Sequence, residues 1–155
     1  MSEDSGAVPT PWVLDVSVLA EIARADAGVT RLVLILDGRG QPLVMPVLAA
    51  VKASLDARTE DADVALRGLE RLENVLVAPL RDAEQAASLA GIIAKTGLEP
   101  WDAHVAAVAD ASACPILTLD AAKWQQHAND LDNPLHVIEV ADPDDAPDDP
   151  GGSGG

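Results

Sequence analysis

Three aspartates stand where carboxylates could do chemistry together. Asp15 follows the short apolar run Trp12-Val13-Leu14, Asp102 lies near the head of an Ala/Val segment, and Asp120 follows Pro115-Ile116-Leu117-Thr118-Leu119. Clustered carboxylates repel one another unless a cation sits between them. Hard oxygen ligands suit Mg²⁺ or Mn²⁺. Such an ion activates water and stabilises charge on a phosphoryl oxygen, so the chemistry this set could do is metal-assisted phosphodiester hydrolysis. Each acid also has a plainer use. Asp102 is favoured by the dipole at a helix N-terminus, and Asp15 or Asp120 can end a strand as a turn residue or cap the next helix.

The elements that must position these acids are legible as alternating strands and helices. Trp12 to Val16 reads as a first strand, and Ser17 as a cap for a helix carrying Val18, Leu19, Ile22 and Ala23. A second helix over Val29 to Leu36 ends in the turn Asp37-Gly38-Arg39-Gly40. Leu43-Val44-Met45 reads as a strand. Pro46 opens a helix whose inward stripe is predicted to be Leu48, Val51, Lys52 and Leu55. A helix over Asp61 to Leu72 presents Val64, Leu66, Leu69 and Leu72, and Val75-Leu76-Val77 reads as a strand. An Ala-rich helix runs from Asp82 to Thr96, with Gly97 as its terminator. The next helix places Asp102, Val105, Ala106, Ala109 and Ala113 on one face, so Asp102 is expected to face the core. A short helix over Ala121 to Asn129 and an edge strand over Leu135 to Val140 complete the pattern.

Short strands alternating with helices predict an α/β fold, a parallel sheet covered on both faces. Sites in such sheets lie at the carboxyl ends of strands. Asp15 and Asp120 fall there. A pocket lined by three acids follows if their strands are neighbours.

Composition bounds the rest. A chain of 155 residues predicts one domain, placed here at 12–140, between a disordered leader (1–11) and a disordered acidic tail (141–155). The core must be aliphatic, because the chain has no Phe and no Tyr. Setting aside Glu3, Asp4 and the five aspartates after Val140 leaves −9 of the formal −16, a body too acidic for strong non-specific nucleic-acid binding. A single cysteine, Cys114, excludes an internal disulfide and fits the cytoplasm. The N-terminus has no signal-peptide h-region, and no apolar run is long enough for a membrane span. His104, His127 and His136 lack metal-ligand spacing, and Gly38-Arg39-Gly40 is too short for a phosphate loop. Cys114 reads as a small packed residue, and Trp124 as packing or a platform for a base.

Four segments in order, VLDVSVL (13–19), LVMPVLAAVKASL (43–55), PWDAHVAAVA (100–109) and ILTLDAAKW (116–124), resemble PIN domains, especially the small VapC-type toxin ribonucleases. The resemblance covers residues 12–140. It implies a three-layer α/β/α fold with a central parallel sheet and Mg²⁺- or Mn²⁺-dependent RNA cleavage. It also implies frequent homodimers and, for toxin members, a small antitoxin partner. Asp15, Asp102 and Asp120 match the first, third and fourth family acids. Ser17 and Thr118 match hydroxyl positions beside the first and last. The second family acid, usually a glutamate, is here Lys52. If its ammonium reaches the acids it pairs with Asp15 or Asp102 and weakens metal binding. If it snorkels outward, Asp56, one turn on, is its natural partner. Two functions follow: an active metal-dependent endoribonuclease, or a degenerate PIN-like protein acting through partner or RNA binding.

Overall fold

The computed structural model describes residues 9–140. The leader through residue 8 and the tail after residue 140 lie outside the described residues. Twelve elements alternate: β1 (Trp12–Leu14), α1 (Val16–Ala23), α2 (Ala27–Gly38), β2 (Leu43–Pro46), α3 (Val47–Ala57), α4 (Glu60–Glu70), β3 (Val75–Ala78), α5 (Ala83–Thr96), α6 (Pro100–Ser112), β4 (Ile116–Thr118), α7 (Ala121–Gln125) and β5 (Val137–Glu139). The five strands form one parallel sheet in the order β3-β2-β1-β4-β5.

Successive strand residues point to opposite faces. Val13 and Leu14, and Ile116 through Thr118, are all buried, so helices cover both faces at the sheet centre. This is the expected three-layer α/β arrangement. The chain leaves β1 toward β2 on one side, while β4 pairs on the other, with Val13 opposite Ile116 and Leu14 opposite Leu117. That reversal is the switch point at which open parallel sheets form crevices. Asp15 and Thr118 therefore meet at the carboxyl ends of neighbouring strands. Among the described residues no helix is long and apolar enough to cross a membrane.

Two helices turn differently from expectation. In α3 the buried residues are Ala49 and Ala53, while Val51 and Leu55 are 44% and 47% exposed. In α4 Ala62, Leu66 and Leu69 are buried, and Val64 is 53% exposed. Helix α3 packs against both α1 and α6, and small side chains let backbones approach closely. The larger aliphatic residues spaced along α3 made a competing stripe, but the close-packed face belongs to the alanines.

Aspartates and a threonine start most helices. Asp15, Asp26, Thr59, Asp82 and Asp120 accept hydrogen bonds from the backbone N–H groups of Val18, Val29, Ala62, Gln85 and Lys123. The cap of α1 is thus Asp15 rather than Ser17, which lies inside the helix. Gly97 ends α5 in the left-handed region (φ 72°), as expected. Pro100 opens α6 at a position where its missing N–H costs nothing. Helix α3 begins after Pro46, which offers no side-chain cap. Here His104 of α6 supplies one from outside: its Nδ1 accepts from the Leu48 N–H at 3.3 Å.

Burial holds the His104 pKa below its ordinary value, and the Leu48 hydrogen bond uses the unprotonated Nδ1. The folded state therefore resists a proton that the unfolded chain accepts below pH ~6.5. Stability should be unaffected by this group above that pH and fall as pH drops through it. In urea titrations between pH 8 and 5.5, His104→Asn keeps an acceptor near Nδ1 and should show a flatter decline than wild type. Equal slopes would remove His104 as the source.

Candidate functional site

The centre of the site is the Asp15 carboxylate, fully buried. Its Oδ1 accepts from Ser17 Oγ at 2.6 Å and from the Val18 N–H at 3.1 Å. Its Oδ2 accepts from Thr118 Oγ1 at 2.6 Å and from Trp124 Nε1 at 2.9 Å. A carboxylate has about four lone-pair sites, and all are used. The two hydroxyls extend the network. Ser17 Oγ accepts the Leu119 N–H at 2.9 Å, and Thr118 Oγ1 accepts the Asp120 N–H at 2.9 Å. Since each hydroxyl proton goes to Asp15, the 3.4 Å approach of the two oxygens is a contact, with no proton left to share. One carboxylate thus fastens the β1–α1 junction to the β4–α7 junction.

Asp102 is also buried, as its helical face predicted. Lys123 Nζ lies 2.8 Å from Asp102 Oδ1, an ion pair whose angles leave that oxygen without a directed hydrogen bond. Asp120 is exposed. Its Oδ1 caps α7 through the Lys123 N–H at 3.2 Å, while Glu139 Oε2 holds the Ala121 N–H at 3.2 Å. Lys52 turns away from the acids. Its ammonium sits 2.9 Å from Asp56 Oδ1 and 5.0 Å from the Trp101 ring centroid, with both members of the pair about a third exposed. The outward alternative holds, reinforced by a cation–π contact.

The donors do not suit a divalent ion. Asp15 has no lone pair to offer without breaking a hydrogen bond. Asp102 already faces an ammonium, and Asp120 faces solvent as a cap. Among the described residues no group of three or more His, Cys, Asp or Glu side chains could hold a metal ion. Cys114 is buried, and burial pushes its thiol pKa up, which disfavours the reactive thiolate.

Sequence reasoning passed over Lys123 and gave Trp124 only a packing or stacking role. Trp124 is 1% exposed and cannot serve as a platform for a base. Both residues follow the strand-ending Asp120 at helical spacing. Offsets of three and four residues from a cap point back over the strand ends, which was the available signal.

No protein-family model matches the chain, and no curated protein matches it. Among solved structures it is similar to VapBC2 from Rickettsia felis, crystallised bound to a DNA fragment from their promoter. The TM-score is 0.56 at 12% identity, over 83% of this chain and 98% of that chain. The chain has a VapC-like PIN fold. At this identity the likeness is one of fold. The PIN fold accounts for the meeting of Asp15 and Thr118 at the sheet crevice, and the side chains around them are this chain's own.

Asp15→Asn should lower stability by about 3 kcal/mol, because an amide NH₂ would face donors on one side of the network. Urea denaturation measures this. An acid held in a metal site without its metal is relieved by neutralisation, so a variant as stable as wild type would refute the structural role.

Proposed function

We propose that the chain is a PIN-fold protein of the toxin–antitoxin type that acts by binding a protein partner, with its acid pocket closed to divalent metal. The observation that carries this reading is the saturation of Asp15 by four internal hydrogen bonds. The acid nearest the sheet's switch point is committed to the fold. Lys52, in place of the second family acid, and the ammonium on Asp102 add to it.

A small antitoxin is the partner class suggested by the VapBC2 likeness. A cleft of about 440 Å³ supports the binding role. It runs between α1, α2 and α4 and is lined by Ile22, Val33, Leu34, Leu69 and Leu72, with Arg31 beside them. Such a groove suits an apolar helix or extended segment carrying an acidic residue.

The second reading is a Mg²⁺- or Mn²⁺-dependent endoribonuclease using Asp15, Asp102 and Asp120. It is favoured by Asp102 Oδ1, a buried oxygen with no directed hydrogen bond. Incubating the wild type with structured and single-stranded RNA in Mg²⁺ and in Mn²⁺ separates the two. No cleavage above a protein-free control is expected. Cleavage removed by EDTA and by Asp102→Asn would establish the nuclease instead.

A further inference from the structure

We infer that Lys123 is a built-in counter-ion of the acid pocket, neutralising Asp102 from within the chain; this rests on the metal-free reading above. The geometry comes from one short helix. Lys123 and Trp124 are consecutive residues of α7, and they reach two different buried acids. The Trp124 indole donates to Asp15 Oδ2 at 2.9 Å, and the Lys123 ammonium lies 2.8 Å from Asp102 Oδ1. The backbone of the same residue is fixed too, since the Lys123 N–H bonds Asp120 Oδ1 at 3.2 Å. Helix α7 is thereby held at its start by Asp120 and Glu139 and at its end by Asp15.

Charge requires a cation there. Asp102 has a side chain 9% exposed, and an ionised carboxylate at that depth is costly without an opposite charge. Lys52, the other lysine near these elements, is turned to Asp56, so Lys123 alone among the described cations pairs with Asp102. Its own side chain is 34% exposed, which spares it full desolvation while it reaches inward. The Trp124 ring, with its centroid 5.5 Å from the ammonium, adds a second attraction that favours the inward rotamer. A divalent ion entering at Asp102 would have to displace a tethered charge, whereas a metal-dependent pocket presents its carboxylates unneutralised.

Removing the ammonium should therefore leave Asp102 as an uncompensated buried charge. Lys123→Met keeps most of the stem and deletes the charge. With wild type, Mn²⁺ at millimolar concentration should leave the thermal midpoint unchanged and the paramagnetic resonance signal of free Mn²⁺ undiminished. Lys123→Met should melt roughly 5–10 °C lower. Asp102→Asn in that background should restore most of the lost stability, because the buried charge that Lys123 neutralised is then gone. Lys123→Arg should behave as wild type. If Lys123→Met does not fold alone, recovery of folding on adding Asp102→Asn carries the same result, and failure to recover overturns the inference. A Lys123→Met protein that is as stable as wild type, or less stable but not rescued by Asp102→Asn, overturns it while leaving the metal-free reading intact. Mn²⁺ binding by wild type that is lost on Asp102→Asn overturns the metal-free reading, and this inference with it.

Discussion

The Asp15 carboxylate is the fixed point of the molecule. It lies just past the central strand, and its four hydrogen bonds come from α1, β4 and α7. A buried charge is tolerated only when its acceptor sites are filled, and here the filling groups are the ones that need placing. Ser17 and Thr118 each give a proton to the carboxylate and take a backbone N–H in return. The crossing from β4 into α7 is thus tied to the crossing from β1 into α1. The parallel pairing of β1 with β4 supplies the register, and the carboxylate keeps the strand ends from separating.

Electrostatics around the crevice are settled inside the chain. Two buried acids and one exposed acid would make a strongly negative mouth in a protein already acidic. Hydrogen-bond donors surround the first, an ammonium meets the second, and helix dipole and backbone donors stabilise the third at the head of α7. Each acid has a different kind of partner group, with Lys123 serving two of them, its ammonium at Asp102 and its backbone N–H at Asp120. A metal centre works the other way, drawing several carboxylates onto one ion.

Much of the fold was readable from sequence because strand and helix periods differ and because Asp, Gly and Pro mark the junctions. Asp15, Pro46, Asp82 and Gly97 sit at element boundaries that the structure shares. The inward position of Asp102 followed from its helical face. The rotation of α3 did not, because spacing identifies an apolar stripe without saying whether the neighbouring helices need bulk or closeness. Ala49 and Ala53 carry little hydrophobic signal, yet they take the crowded face. The outward turn of Lys52 follows from the same rotation. The site was half legible. Strand ends pointed to Asp15 and Asp120, and the PIN resemblance set Thr118 beside Asp120; that Thr118 bonds Asp15 came only from coordinates, and the decisive donors, Trp124 and Lys123, lie in a short helix read mainly as packing.

The capping role of Asp15 has a consequence for how such sequences are interpreted. A carboxylate that starts a helix, joins two strand ends and anchors a buried indole is required for folding whatever chemistry surrounds it. The fold leaves no freedom to discard it. An acid in this position is therefore held by architecture as well as by any chemistry, and the groups that tell the two apart are the cations and donors facing it.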